Sequence, residues 1–440
     1  MSNLAKLGPV ALAPGIKRRH AAAYLYATFA GITLSTFVGA FLPYILNVNL
    51  NIPIEQQGGV AGDMGFYREI VLIFTSTLIG AMSDRTGRRI IFVGGLLVLA
   101  AAYATYGYVD SVTQLIIVQL VLALGISLTN VMIIAVQVDY ADEGSRGKLV
   151  GFSGVAIGLG QLLIGVFFTR LPNLFVERLG VPELVAGEYT ALTMAGFAFF
   201  TAMIALVGLK AGPPPHVTEH LPVRTLFANG LAAGRDNPRI LLAYLSAFVS
   251  RGDMVVVGTF FMLWLTQAGI AADMPPDEAT KVAGMRFAII MATALVWAPI
   301  LGFINDKIDR TTVMMIALGI AAVGYIGIGL IPDPLGGWML PILIVVGIGQ
   351  MSVTSACQTL VGQEAPPSAR GSITGMFAFF GAGGILFITK VGGIIYDSID
   401  PAAPFVLIGL FNGALFVYAI YVRRLPPTRT PTAQADNALD

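Results

Sequence analysis

Long apolar stretches separated by short polar connectors make up most of the chain. A helix of roughly 20 apolar residues crosses the ~30 Å hydrocarbon core of a bilayer. Twelve stretches reach that length, and their short connections predict antiparallel neighbours. The predicted spans are Ala22–Leu46, Asp63–Met82, Ile90–Val109, Val112–Val138, Leu149–Arg170, Thr190–Leu209, Ile240–Leu265, Ala283–Phe303, Thr311–Ile331, Trp338–Gly362, Ile373–Tyr396 and Pro404–Val422. The pattern predicts an all-α integral membrane protein.

Composition supports a lipid bilayer as the surroundings of this chain. Hydrophobic residues make up 56% of the 440 residues and charged residues only 12%, which is about half the charged share of a soluble protein. The 26 basic and 25 acidic residues nearly cancel, so no nucleic-acid partner is expected. The single cysteine, Cys357, excludes an intrachain disulfide and is expected to be a small buried hydrophobe. The first apolar run is too long for a cleaved signal peptide, so it is expected to remain as a helix.

The distribution of basic residues predicts how the chain is oriented. Most of the lysines and arginines fall in the segments on the side of the two termini, and such segments stay in the cytoplasm. We therefore expect a multi-pass protein of the cell (inner) membrane with both termini cytoplasmic. The predicted layout is a cytoplasmic N-terminal tail (1–21), a six-helix half (22–209), a cytoplasmic central loop (210–239), a second six-helix half (240–422) and a cytoplasmic C-terminal tail (423–440).

The two halves repeat each other in sequence. The loop after span 2 recurs after span 8, 222 residues further on, and the loop after span 4 recurs after span 10 at an interval of 224 residues. The pairs are Gly80-Ala-Met-Ser-Asp84-Arg85-Thr-Gly87-Arg88-Arg89 with Gly302-Phe-Ile-Asn-Asp306-Lys307-Ile-Asp309-Arg310, and Arg146-Gly147-Lys-Leu-Val-Gly151 with Arg370-Gly371-Ser-Ile-Thr-Gly375. Duplicated halves with an even number of spans are related by an axis along the membrane normal.

These residues resemble the major facilitator superfamily. The loop from Gly80 to Arg89 is similar to the family's signature between spans 2 and 3, and the layout of six plus six spans with a long central loop also fits. The resemblance covers the whole chain. It implies the major facilitator fold, with two pseudo-symmetric six-helix halves.

The resemblance also implies a conformational latch on the side of the termini. Asp84 would lie near the start of span 11 (371–372) and Asp306 near the start of span 5 (147–148), where helix N-termini favour a carboxylate. The alternative is that these charges only cap turns and fix the orientation. The candidate latch residues are Gly80, Asp84, Arg85, Gly87, Arg88, Asp306, Arg310, Arg146 and Arg370.

Two ionisable residues lie near the middle of span 7. Arg251 and Asp253 flank Gly252, and residues two apart on a helix point about 200° apart, so at most one of them faces a central pathway squarely. Asp253 is the first candidate for a protonation switch, because desolvation favours the neutral form of a carboxylic acid. The alternative for these charges is a structural ion pair with another helix.

Three further charges lie within or beside spans. Arg68 and Glu69 fall in the outer half of span 2 if that span begins early, and are ordinary loop charges if it begins later. Lys390 in span 11 either contributes positive potential for an anionic solute or extends its amine to the outer interface.

Polar stripes on two spans suggest a hydrophilic central cavity. Polar groups are costly in hydrocarbon, so these stripes are expected to face protein or water. Contacts that hold helices together are the alternative for each residue. The residues are Asn130 and Gln137 of span 4, and Gln350, Thr354 and Gln358 of span 10.

The sequence excludes several other classes of function. No phosphate-binding loop and no nucleophile–base constellation occurs, so neither an ATP-driven pump nor an enzyme is expected, and no cofactor. The histidines of His216-Val-Thr-Glu219-His220 follow three prolines in the central loop, so we expect no metal site there.

The resemblance to the major facilitator superfamily implies secondary active transport by alternating access. We expect a functional monomer that takes up a small organic, anionic solute together with protons by symport, with Asp253 or Glu69 titrating. One alternative is a proton-coupled efflux antiporter for amphipathic or drug-like compounds. Another is a non-transporting membrane sensor with the same fold.

Overall fold

Twelve long helical spans follow one another in the computed structural model, which describes residues 5–142, 145–212, 223–366 and 369–426. This confirms the predicted all-helical, twelve-span membrane fold. Eleven of the helical segments are each long and apolar enough to cross a membrane. Span 2 is the twelfth, and its helix bends by 42° between Ser76 and Leu78. The spans begin and end at Arg18–Tyr44 with Ile45–Asn49, Ile54–Thr86, Arg88–Tyr106, Val112–Tyr140, Arg146–Val166 with Phe168–Arg170 and Leu171–Leu179, Glu183–Gly208, Pro238–Val255 with Val256–Phe260 and Phe261–Ala271, Pro276–Lys307, Arg310–Gly329, Met339–Glu364, Arg370–Ser398 and Ala403–Arg424.

Span 2 begins nine residues earlier than the hydropathy pattern predicts. Its first turns carry polar residues such as Gln57, whose side chain is fully buried. The amide of Gln57 donates to Asn47 Oδ1 at 3.0 Å and to the Ile52 carbonyl oxygen at 2.8 Å. Hydrogen bonds make such burial possible without an apolar side chain. Consequently Glu69 lies near the middle of the helix and is not a loop charge.

Each half carries its own small element on the side of the bundle where the chain ends lie, here called the termini side. The opposite side is called the far side. In the first half, a β-hairpin pairs Lys6–Leu7 with Val10–Ala11 and docks on the end of span 4, where Tyr140 O accepts from Ala13 N at 3.0 Å. In the second half, the helix Val223–Asp236 packs on span 11, with Gly230 against the Ser372 carbonyl. No hydropathy pattern in the sequence predicts either element.

The halves meet closely on the far side. A Cβ atom at Gly62 in span 2 would overlap the Thr389 carbonyl of span 11 and lie 3.1 Å from Gly393 Cα. Spans 5 and 8 approach in the same way, because a Cβ atom at Gly165 would overlap the Gly284 carbonyl. Small residues therefore bring backbone against backbone along both seams between the halves.

The halves are apart on the termini side. Six glycines at the termini-side parts of spans 2, 5, 8 and 11 have no described atom within 4 Å of the place a Cβ would occupy; they are Gly80, Gly151, Gly154, Gly302, Gly371 and Gly375. The space between the halves therefore opens toward the termini side.

Spans 1 and 7 each contain one π-helical turn. The π-helical segments are Ile45–Asn49 and Val256–Phe260. Gly39 of span 1 lies against span 7 just beside the second of these, with its Cβ position 3.0 Å from Thr259 Oγ1. π-Helical turns often mark functional sites, and the turn of span 7 lies where the two halves touch.

Candidate functional site

Arg251 and Asp253 occupy different environments on span 7. The Asp253 side chain is fully buried inside the second half, whereas Arg251 is exposed. The Arg251 side chain lies against span 11, because its Cγ is 2.8 Å from the place a Cβ at Gly381 would occupy. Glycine at 381 therefore leaves room for the arginine. Of the two charges, Arg251 is the one at the interface between the halves.

Glu69 of span 2 approaches the same interface from the first half. It continues the helical stripe of Gly58, Gly62 and Gly65, at intervals of three and four residues, which faces span 11. Its side chain is 7% exposed and has no hydrogen bond or ion pair with any described residue. The guanidinium groups of Arg68 and Arg251 act on it electrostatically, so charges from both halves converge here.

A cavity of about 230 Å³ lies beside Glu69. It is bounded by spans 2, 4 and 11 and is open to the surface of the protein. Asn130 of span 4 contributes its amide, and the Asn130 Oδ1 atom is buried with no hydrogen bond to a described residue. The lining residues are Glu69, Leu72, Ile73, Ser76, Ser127, Asn130, Val131, Ile134 and Ala382. The cavity thus has five apolar and four polar lining residues, and of the polar ones Glu69 and Asn130 have side-chain oxygens without a hydrogen bond to a described residue.

Arg68 lies near Glu69 and also near two tyrosines of span 3. The hydroxyl groups of Tyr103 and Tyr106 in span 3 lie within its electrostatic reach. The Tyr103 hydroxyl donates to the Leu34 carbonyl oxygen. Arg68 therefore belongs to the interior of the first half, next to a layer of tyrosines.

The Asp253 carboxylate lies among spans 7, 9 and 10 of the second half. Gln350 Nε2 donates to Asp253 Oδ1 at 3.3 Å. The Tyr325 hydroxyl faces the same carboxylate. Nevertheless, Tyr325 Oη and Asp253 Oδ2 are both buried without a well-formed hydrogen bond to a described residue. The carboxylate is thus incompletely paired.

The polar stripe of span 10 faces span 7 rather than the cavity beside Glu69. Gln350 contacts Asp253, and Thr354 Oγ1 lies 2.8 Å from Ser250 Oγ. Gln358, two turns nearer to the termini side, is exposed. On span 4, Gln137 approaches the Tyr24 hydroxyl, inside the first half.

Lys390 lies on the far side and bridges the two halves. Its Nζ is 2.6 Å from Asp63 Oδ1 of span 2, and the two side chains are 51% and 37% exposed. Lys390 therefore lies at the seam between spans 2 and 11, at the level of the close contact between Gly62 and Thr389.

Arg88 of the signature loop forms ion pairs inside the first half. Arg88 lies 2.7 Å from Asp84 Oδ1 and 2.9 Å from Asp139 Oδ2 of span 4. Gly87 joins spans 2 and 3 with φ +96°, a conformation that favours glycine. Arg85 is exposed, and Gly80 has open space beside it.

The second copy of this loop is described in part. Arg310 donates to the Thr359 carbonyl oxygen at 3.2 Å within the second half. The side chains of Asp306, Arg146 and Arg370 lie outside the described residues, although Arg146 and Arg370 begin spans 5 and 11. The pattern His216–His220 is also outside them.

A far-side network between the halves was missed by the sequence analysis. The Asp397 carboxylate of span 11 accepts from Gly58 N at 2.8 Å and from Gly59 N of span 2. Gln267 of span 7 donates to Gln57 Oε1 at 2.9 Å. The only signal in the sequence was a set of polar residues at the far ends of these spans.

A second far-side contact joins spans 5 and 8. Asn173 donates to Asp277 Oδ2 at 3.0 Å and accepts from Lys281 Nζ at 3.2 Å. Both seams on the far side thus carry polar contacts between the halves.

The fold and these contacts define a membrane transporter built from two repeated halves around an interface with opposed charges. No group of three or more metal-ligating side chains occurs among the described residues. The chain belongs to the Major Facilitator Superfamily, whose family model matches residues 24–389. It is therefore a multi-pass membrane protein of a transporter family and not an enzyme.

Several known proteins are similar along most of the chain. The magnetosome protein MamH of Paramagnetospirillum magneticum is 26% identical, with 92% of each chain covered. The magnetosome protein MamZ of Magnetospirillum gryphiswaldense is 24% identical over 91% of this chain, which spans only 61% of that protein. A crystal structure of a mutant of the nucleoside transporter NupG superimposes with a TM-score of 0.72 at 14% identity, covering 91% of this chain and 99% of that one. This last likeness shows a shared fold.

Proposed function

We propose that this protein is a secondary active transporter that takes up a small organic anion together with protons, by alternating access. The observation that carries the proposal is the convergence of Glu69 from one half and Arg251 from the other on the seam between spans 2 and 11. Placing a charged side chain in the bilayer interior costs at least about 2.5–3.5 kcal/mol, so charged residues within membrane spans usually serve a function. The termini are cytoplasmic and the membrane is the cell's inner membrane, which makes the state described here inward-facing. One monomer suffices.

Arg251 is the anchor for the anion in this proposal, and Glu69 competes with the anion for it. While Glu69 is ionised, its field neutralises that of Arg251. Protonation of Glu69 removes this competition, so the anion binds more tightly. By linkage, a bound anion then favours protonation of Glu69 to the same extent. The two events together couple the proton gradient to uptake.

The switch between states exchanges far-side contacts for termini-side contacts. Opening the far side breaks the hydrogen bonds from Gly58 and Gly59 to Asp397 and separates Lys390 from Asp63. Closing the termini side brings Asp84 toward 371–372 and Asp306 toward 147–148. In the state described here Arg88 Nη1 lies 2.7 Å from Asp84 Oδ1, and this pair orients the Asp84 side chain.

A proton-coupled efflux antiporter for amphipathic compounds is the second candidate. It is favoured by the walls of the cavity beside Glu69, where apolar side chains such as Leu72 and Ile134 outnumber polar ones.

A thermal-shift panel of purified protein tests the proposal. Organic anions, sugars, amino acids and lipophilic cations are compared, since a ligand at 100 times its Kd stabilises by about 2.7 kcal/mol. We expect stabilisation by anions, lost in R251A and retained in R178A, an exposed far-side arginine. In proteoliposomes an inward proton gradient then drives accumulation. Stabilisation by lipophilic cations alone, with outward transport, would support the efflux antiporter and contradict the uptake proposal.

A further inference from the structure

We propose that a polar column between spans 7 and 10, inside the second half, conducts protons from the termini side to Asp253. This column is separate from the Glu69–Arg251 seam, so span 7 carries Asp253 on one face and Arg251 on the other, and the column adds a second proton site to the one at Glu69. The inference rests on the proposed proton coupling and names a route and an end point for it.

Asp253 has the surroundings of a proton acceptor that is not locked into an ion pair. Its Oδ1 has one long hydrogen bond, from Gln350 at 3.3 Å, and its Oδ2 has none to a described residue. The titratable groups that face it are Tyr325 from span 9, Cys357 from span 10 and Arg251 from its own helix. Of these only Arg251 is ordinarily charged, and it points to the opposite face of span 7.

The column continues from Asp253 toward the termini side. Ser250, one turn before Asp253, and Thr354, one turn after Gln350, lie 2.8 Å apart at their hydroxyl oxygens. Gln358, one turn further along span 10, is exposed. From Gln350 to Gln358 the rise is about 12 Å at 1.5 Å per residue. A hydroxyl group both donates and accepts, so paired hydroxyls are suited to passing a proton along.

Span 7 offers one more hydroxyl on the same face. Ser246 lies seven residues before Asp253 and is fully buried, and its Oγ has no hydrogen bond to a described residue. The Ser246 hydroxyl, one turn nearer to the termini side than Ser250, therefore extends the column along span 7. Burying polar atoms without hydrogen bonds costs free energy, so a cluster of them inside the second half indicates a function.

Infrared spectroscopy of the purified full-length protein tests the column without any substrate. A protonated carboxylic acid has its own C=O stretching band, which shifts when H₂O is replaced by D₂O. We expect acidification to produce such a band, D253N to remove it, and the S250A/T354V double variant to retain it. In the double variant the D₂O shift should be slowed about tenfold, the effect of a barrier raised by roughly one hydrogen bond.

Two control variants make the result specific. S352A removes a hydroxyl of span 10 that is bonded to Trp297 Nε1 at 2.9 Å, outside the column, and should change neither the band nor its rate of exchange. E69Q should abolish proton-driven anion uptake yet keep the Asp253 band, which separates failure of the column from failure of the proposed transport. Exchange in S250A/T354V as fast as in the wild type would overturn the column. The absence of any band removed by D253N would overturn Asp253 as its end point.

Discussion

The far side and the termini side of this molecule are built from the same repeated halves, yet they are held in different ways. On the far side, glycines bring spans 2 and 11 into backbone contact and a carboxylate of one half binds amides of the other. On the termini side, Arg88 binds Asp84 and Asp139 of its own half. Among the described residues, the far side is therefore joined by contacts between the halves, whereas Arg88 on the termini side pairs inside the first half.

This difference is what a two-state transporter requires. A population shifts between two states only if their free energies are close. The ion pair of Arg88 with Asp139 lies within the first half, so this pair does not have to break while the termini side is open. Contacts on the far side are numerous, but each contributes a modest free energy. A comparable set of contacts formed on the termini side would therefore offset the free energy lost when the far side opens.

The largest expected effect comes from filling the far-side glycine seam. Val at Gly62 would overlap the Thr389 carbonyl, and overpacking costs about 1–3 kcal/mol. The G62V variant should therefore disfavour far-side closure about tenfold or more and abolish transport. Labelling of N130C by an impermeant thiol reagent, added from the far side, measures this.

The matched variant is G154V in span 5, on the termini side. Gly154 has open space beside it, so the valine fits the state described here. It should block closure of the termini side and leave N130C accessible only from there. Identical labelling rates of N130C in G62V and G154V would contradict the claim that the far side is closed and the termini side is open.

A smaller effect is expected at Asp397. The D397A variant leaves Gly58 N and Gly59 N without their carboxylate, and loss of a charged hydrogen bond costs about 1.5–3 kcal/mol when buried. Because Asp397 is only half-buried, we expect about a tenfold rise in far-side labelling of N130C. D110N, at an exposed far-side aspartate, should not change the labelling rate, and an unchanged rate in D397A would remove this contact from the gate.

The smallest effect is expected at the exposed pair of Lys390 and Asp63. Exposed ion pairs contribute about 0–1 kcal/mol, so K390Q should change far-side labelling less than about fivefold, and the change should vanish at high salt. If K390Q instead removes the thermal shift produced by anions, Lys390 and not Arg251 anchors the anion.

Most of the fold was predictable, because apolar length and the repeated loops each carry strong physical constraints. The start of span 2 was missed, since Gln57 lowers the local hydropathy although it is buried by hydrogen bonds. The hairpin at Lys6–Ala11 was missed because its strands are two residues long. Its stability comes from docking on Tyr140, which no local pattern shows.

The site was predictable as a set of residue types but not as an arrangement. Helical spacing showed that Arg251 and Asp253 point apart, yet not which of them faces the interface. Helical spacing predicted Gln350, Thr354 and Gln358 as one stripe of span 10, and in the structure Thr354 contacts Ser250 and Gln350 contacts Asp253, both on span 7. Periodicity defines a face of a helix, whereas the identity of the neighbour depends on tertiary packing.

The central claim, that closure alternates between the two sides, is tested most directly by spin-label distances in one preparation. One pair reports the termini side, at Gly151 and Gly375, and another reports the far side, at the exposed residues Tyr108 and Trp338, all replaced by cysteine in a C357A background. Introducing G62V should lengthen the far-side distance and shorten the termini-side distance in the same molecules. A far-side distance that lengthens while the termini-side distance stays fixed would contradict alternating access in this protein.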